Sequence, residues 1–546
     1  MVVPVDGGFP EPAFPGEFEG DAVHCVDYDL EKNLVYFWAE SQAEARNVSY
    51  RCDLGSGSVT KLAESKYAGI PVGVNEAHDK TVILDAYGAG DHVVYLKENG
   101  VEELRLLYGT PIDQRAEDEK PPPNSISECV FVRHDMGLLF FTSLFSDTYG
   151  LGYFDLANPT NAQAVAIEGI VHEGSGELTE LTHLHGDRYL VCYNIDGCSW
   201  LYEGRFDDLE LKMKFERVLC GQGELTDGVL ESYLFDRAGN RFVLSFSTAT
   251  SPTQIYLIEG PEREIVTRQT NERVLGVDPS SLSAGEDASF ESFDGVRVSA
   301  RLYMPPDSLG FQGPRPLVYY VHGGPQSQER PDFAWFSMPL IQFLILRGFA
   351  VFVPNARGST GYGFEYMSKV VRDWGGSDRL DHVHAMTEVL TKDSRIDTSR
   401  AGVVGRSYGG YMTLTLASRH PELWGAAVDM FGPYDLIGFA SRVPETWKPF
   451  MAFLMGDPET EQDFLNERSP ATYVEDIACP LLVIQGKNDP RVVEVESREL
   501  VDKLKGMGKD VEYLMFEDEG HDVLKFDNRV KCYNAITEFF AGHLKP

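Results

Sequence analysis

The chain reads as two folded units in series: an all-β half built from a repeat, then a mostly parallel sheet covered by helices on both faces. Three observations predict this. Short apolar β-like runs recur at an interval of roughly 50 residues in the first half. Strands and helices alternate in the second. Between an apolar run at Ala401–Val404 and a helix-like run that begins near Gly410 stands Gly405-Arg406-Ser407-Tyr408-Gly409. At 546 residues the chain exceeds one ordinary domain, and each of two can bury a proper core.

The repeat is carried by Asn33–Ala39, Lys80–Ala86, Gly137–Ser143, Arg188–Asn194 and Arg241–Ser247, which are rich in β-branched and aromatic residues. Turns containing Asp, Gly or Asn precede most of them, as in Asp29–Asn33 and Asp236–Asn240. A further strand ending in a turn follows, as in Val48–Gly55 and Leu151–Leu156. The interval suits four-stranded propeller blades, about five of them between about residues 20 and 275. A β-sandwich with irregular hairpins is the competing arrangement. Residues 271–288, with Pro279–Gly285, read as the linker. The expected division is a propeller domain with an N-terminal extension over 1–280 and a second domain over 281–546.

The second half opens on a hairpin, Phe290–Tyr303, with Asp294-Gly295 as its turn. Part of a helix at Phe343–Arg347, a strand at Ala350–Val353, a helix over Asp378–Lys392 and a strand at Val403–Val404 follow. Ala426–Met430, Leu481–Ile484 and Val511–Phe516 read as further strands and Asn528–His543 as a closing helix. Within that alternation the serine gains its meaning. A serine on a sharp strand-to-helix turn lifts its hydroxyl clear of the sheet, and flanking glycines let the backbone make the turn. Asp489 follows the run Pro480–Gly486, and His521 follows Val511–Phe516. Ser407, Asp489 and His521 thus stand in the order of an α/β-hydrolase, each just after a β-like segment. A serine hydroxyl needs a histidine to take its proton, and the histidine needs a carboxylate to fix its tautomer.

An oxyanion site is also legible. The buried-strand pattern Pro316–Val321 runs into His322-Gly323-Gly324-Pro325, whose glycine amides can point at a developing oxyanion. The amide of Tyr408 would be the second arm. His322 itself reads as structural.

Composition excludes several classes. The formal charge of −37 disfavours nucleic acid and anionic membranes, because such a surface repels phosphates. No apolar run approaches a membrane span, and Met1–Gly8 lacks the basic and apolar regions of a signal peptide. Eight cysteines lie scattered, with only Cys192 and Cys198 close, so reduced thiols in a cytoplasmic protein are expected. There is no H-E-x-x-H, and Gly358–Gly363 misses both the dinucleotide spacing and the Walker lysine, so no metal or cofactor is expected. Homo-oligomer formation stays open.

Taken with His322-Gly-Gly-Pro325, Asn355–Gly363, Trp374-Gly-Gly-Ser-Asp378, Gly405–Tyr411, Ser469-Pro470, Gly486–Arg491 and Glu519-Gly-His521, the chain resembles the prolyl oligopeptidase family of serine peptidases, nearest its acylaminoacyl-peptidase-like branch. The resemblance implies Ser407 as nucleophile, Asp489 as orienting acid and His521 as general base. It implies oxyanion donors at Tyr408 and the Gly323/Gly324 turn, with His322 where some relatives carry a tyrosine donor. It further implies that Arg491 grips the carbonyl of the residue preceding the scissile one, and that Arg357 lines the same cleft. Family propellers carry seven or eight blades, against about five here. Glu102-Glu103 is the acidic pair that could hold a free amino terminus, and its expected place on a strand edge disfavours dipeptidyl-peptidase action. The implied activity is hydrolysis of short peptides or acyl-peptides through an acyl-enzyme. Carboxylester or small-amide hydrolysis on the same scaffold is the alternative, and an inactive propeller binding protein the remote one. Phe450–Met455 reads either as a wall of the acyl pocket or as core helix.

Overall fold

A computed structural model of the chain describes residues 7–11, 18, 20–41, 43–116, 121–159, 161–333 and 336–546. The stretch read for signal features, Met1–Gly8, lies mostly outside them. The first half contains three four-stranded antiparallel sheets, over residues 21–65, 70–108 and 228–268, and one sheet of eight strands over 127–220. The large sheet is two four-stranded units, 127–168 and 176–220, joined where Gln163–Glu168 pairs in parallel with Lys212–Cys220. The repeat therefore resolves into five blades.

The three middle blades are apolar on both faces because each is packed between two others. Ile83 meets the first blade's Tyr36 and Leu62. Its strand neighbours Val82 and Leu84 turn the other way, toward Leu138 and Phe140 of the third. The same inversion recurs with Leu139 and Val191 on one side, and Leu190 with Phe242 and Leu244 on the next. Successive residues of a strand point to opposite faces, so a run of consecutive apolar residues serves two interfaces at once.

The second half is a nine-stranded sheet. Its path runs Glu286–Asp287, Arg297–Tyr303, Ala350–Asn355, Arg315–Val321, Ile396–Arg406, Ala426–Met430, Leu481–Gly486, Val511–Phe516, with Phe290–Glu291 paired beside Arg297–Tyr303. The last six strands are mutually parallel. Every residue of Arg315–Val321 and of Leu481–Gly486 is buried, as a sheet covered on both sides demands. Leu317, Tyr319 and Val403 enter one core; Val318, Tyr320 and Val404 enter the other. The helix predicted over 378–392 is shorter as an α-helix, Ser377–His384, and continues as a π turn over Ala385–Val389 and a tight turn over Leu390–Lys392.

The propeller grips the carboxyl edge of this sheet. Both carboxylate oxygens of Glu177 accept backbone N–H groups of the second half, from Gly361 at 2.9 Å and Gly363 at 2.7 Å. Gly361 has φ +96°, and a Cβ there would meet Asn194 and Gln328 at 2.8 Å, so only glycine permits the contact. Glu40 accepts from Thr446 Oγ1 at 2.7 Å and Trp447 Nε1 at 3.1 Å.

One buried carboxylate has a consequence for stability. Glu496 has no exposed surface, and the nearest cation, Arg442 Nη1, stands 3.8 Å away. Burial pushes its carboxyl up from 4.5 to about 8. Between those values the folded chain keeps a proton that the unfolded chain has released, so wild-type stability falls as pH rises through the window. Glu496→Met is expected to stabilise by about 1–3 kcal/mol at pH 8 and by much less near pH 5. Urea unfolding at both pH values checks this, and a variant weaker than wild type at pH 8 refutes it.

Candidate active site

The strand Ile396–Arg406 ends one residue before Ser407, and the helix Tyr408–Arg419 begins one residue after it. Ser407 therefore takes φ +58° and ψ −120°, a conformation non-glycine residues rarely adopt. Its N–H is held by Met430 O at 2.8 Å. The turn is tight enough that a Cβ on Gly405 would meet Gly409 O at 2.3 Å, and one on Gly409 would meet Val321 O at 2.1 Å. Those glycines are what the strained serine requires.

The structure brings the three sequence-predicted reactive side chains together. Ser407 Oγ and His521 Nε2 are 2.9 Å apart, and His521 Nδ1 lies 2.6 Å from Asp489 Oδ2. Asp489 is buried, and its Oδ1 accepts the amides of Arg491 at 2.8 Å and Val492 at 2.9 Å. Since a carboxylate only accepts, Nδ1 must carry the imidazole proton, which leaves Nε2 free to accept from the serine hydroxyl.

Tyr408 opens the helix, so its amide has no intrahelical acceptor and sits at the positive end of the helix dipole. The backbone of Gly323 runs beside Ser407: a Cβ there would stand 3.4 Å from Ser407 Cβ. The Tyr408 ring is fixed by the Trp374–Asp378 segment. Its hydroxyl donates to the buried Asp378, and Trp374 packs edge-on at 4.8 Å. Burial pushes Asp378 up to about 7. His322 is buried, bonded to Ser359 Oγ at 2.8 Å, and desolvation lowers its pKa.

Two cavities meet at Ser407, His521, Gly324 and Arg491. The first, about 410 Å³, has an apolar end of Trp374, Phe439, Met451 and Leu454. Both expectations for Phe450–Met455 meet here: Met451 and Leu454 are buried in the core, and they also wall the cavity. Arg491 is exposed, lies 5.2 Å over the Trp447 ring and makes no ion pair among the described residues. The second cavity, about 350 Å³, is polar and lies toward Arg406.

Arg357 is a correction. Its guanidinium is 6% exposed and is spent on Asp381 at 2.7 and 2.9 Å and on Asp294 at 2.9 Å, with Phe293 stacked on it. It lines neither cavity. Glu102 and Glu103 are exposed in the connection between two strands and likewise line neither cavity. Glu40, Trp38 and Tyr67 of the propeller do line the first, and sequence reasoning missed them. Among the described residues no cluster of three or more metal-ligating side chains occurs, and no helix is long and apolar enough to cross a membrane.

A strained serine on a strand–helix turn, relayed to histidine and carboxylate beneath a propeller, defines the class: an α/β-hydrolase fold preceded by a β-propeller. The chain matches the sequence model of the prolyl oligopeptidase family over residues 334–546. It is similar to dipeptidyl aminopeptidase BIII of Pseudoxanthomonas mexicana, 38% identical over 42% of this chain and 33% of that protein. It is also similar to the acylamino-acid-releasing enzyme of Rattus norvegicus, 27% identical over 47% of this chain and 35% of that protein. The chain thus spans about a third of the length of these relatives. Among solved structures, a puromycin hydrolase superposes over 99% of this chain and 81% of its own, with TM-score 0.78 and 20% identity. The acylaminoacyl peptidase of Pyrococcus horikoshii superposes over 94% and 80%, with TM-score 0.69 and 19% identity. At such identity these two establish the fold.

Proposed function

We propose that the chain is a serine peptidase acting on short peptides, with residues 1–280 as its propeller domain and 281–546 as its catalytic domain. The relay Ser407–His521–Asp489, opening onto a cavity with an apolar end and an unpaired arginine, is the observation that carries this reading. Ser407 Oγ attacks the scissile carbonyl while His521 Nε2 takes its proton. The oxyanion collects at the amides of Tyr408 and the Gly323/Gly324 turn, with the helix dipole behind them. Collapse breaks the C–N bond, the departing nitrogen takes the proton from His521, and water then cleaves the acyl-serine by the same steps in reverse. The acyl side chain enters the pocket of Trp374, Phe439, Met451 and Leu454. Arg491 holds the preceding carbonyl; its planar fork suits an oxygen acceptor. The eight free thiols support a cytoplasmic setting.

A peptide supplies the carbonyl Arg491 would grip, and a simple ester does not. Arg491→Ala is expected to lower kcat/KM on a peptide about 10–100-fold more than on a p-nitrophenyl ester, the cost of one charge-assisted hydrogen bond. Equal losses on both substrates would favour the esterase alternative.

Glu40 favours a second reading, in which the substrate carries a free amino end, as the name of dipeptidyl aminopeptidase BIII suggests for that protein. It places a carboxylate in the wall of the acyl-side cavity. Side-by-side rates on acetylated and free-amino versions of one peptide separate the two, and preference for the acetylated form rules out the amine reading.

A further inference from the structure

The polar cavity on the other side of Ser407 is unused by the acyl half of the reaction. Its wall differs in kind from the apolar pocket: Arg330, Arg406 and Arg491 line it together with Glu329 and Asp332. Arg406 is held by Asp522 at 2.9 Å and stacks on Phe336. Glu329 accepts from Ser337 Oγ at 2.5 Å, and burial pushes its carboxyl up to about 8. Arg330 is different. Its Nε donates to Gly197 O at 2.8 Å and its Nη2 to Ser199 Oγ at 2.9 Å, both from the propeller. Among the described residues it makes no ion pair, and its Nη1 has no acceptor. A half-buried guanidinium, braced by neutral groups and lining a cavity that reaches Ser407, can pair with an anion that arrives.

Geometry decides what arrives. With the acyl side chain in the apolar pocket past Tyr408, the leaving amine must lie across Ser407, within reach of His521 in the second cavity. About 350 Å³ accommodates a short segment, and Arg330 lines it as a cation for a terminal carboxylate. We propose that this cavity is a leaving-group subsite selecting peptides that end about one or two residues past the scissile bond, with Arg330 pairing with their terminal α-carboxylate. This rests on the peptidase reading above and adds the substrate class: short peptides with a free carboxyl end.

Matched substrates test it on the full chain. Acetyl-Ala-Phe-Ala as the free acid is expected to be cleaved with kcat/KM about tenfold above that of its C-terminal amide. Arg330→Gln should lower the free-acid value about tenfold more than the amide value, chiefly through KM, and Arg330→Lys, which keeps the charge, should recover part of that difference. Free alanine should inhibit more strongly than alaninamide. Equal rates on acid and amide in the wild type, or equal losses on both in Arg330→Gln with no recovery in Arg330→Lys, overturn the subsite and leave the peptidase reading standing. Failure to cleave either peptide while a p-nitrophenyl ester is turned over overturns both.

Discussion

Ser407→Ala is expected to lower kcat by about 10⁶ while leaving the fold intact. The size follows from what the hydroxyl does. Without it no acyl-enzyme forms, and the remaining machinery, the Tyr408 and Gly323/Gly324 amides and the two cavities, can only orient water, a residual effect of about 10³–10⁴ over the uncatalysed reaction. The fold should survive because the unusual backbone at φ +58° is imposed by the strand before and the helix after, and by Met430 O on the Ser407 amide. Alanine fits that conformation about as poorly as serine does, so the two proteins should unfold at nearly the same urea concentration. His521→Ala should cost about as much, and the double variant little more, because the two groups act as one unit. The check is pre-steady-state release of p-nitrophenol, whose burst should vanish in Ser407→Ala. A persisting burst would place the nucleophile elsewhere.

What the sequence exposed and what it hid divide along a physical line. Ser407, Asp489 and His521 were legible because each is announced locally, by an apolar strand ending in a glycine-rich or acidic turn, and the parallel sheet aligns those ends on one edge. The blades were legible because the inner strands of the middle blades serve two interfaces and so read as apolar runs. Long-range partners were not. Glu40 and Thr446 are 406 residues apart yet bonded, and Arg330 meets Ser199 across 131 residues; no local pattern marks either. Arg357 shows the reverse error. It stands in a glycine-rich segment that looks like a cleft, but the carboxylates that consume it, Asp294 and Asp381, come from a hairpin turn and a helix whose convergence only the fold reveals. Tyr408 is similar: its place after Ser407 was anticipated, whereas the burial of its ring against Trp374 and Asp378 was not.

Asp489→Asn is expected to lower kcat by about 10⁴ with little change in KM, and the reason lies in how the loop forces the amide to turn. Asp489 Oδ1 accepts the N–H groups of Arg491 and Val492. An asparagine must present its carbonyl oxygen to those two donors, since its NH₂ there would leave buried N–H groups facing N–H groups. The NH₂ then occupies the place of Oδ2, 2.6 Å from His521 Nδ1. A donor opposite Nδ1 selects the tautomer with the proton on Nε2, so the nitrogen facing Ser407 Oγ becomes a donor and can no longer accept the serine proton. Binding is spared because both cavities are lined by other residues. Asp489→Ala should behave differently: it frees the tautomer but drops the two loop bonds, so it should lose stability as well as rate, which Asp489→Asn should largely keep. Steady-state kinetics on one peptide, with urea unfolding of both variants, separate these effects. A loss below about tenfold in Asp489→Asn would mean that the carboxylate does not control the imidazole tautomer, and the relay assigned to these three residues would have to be abandoned.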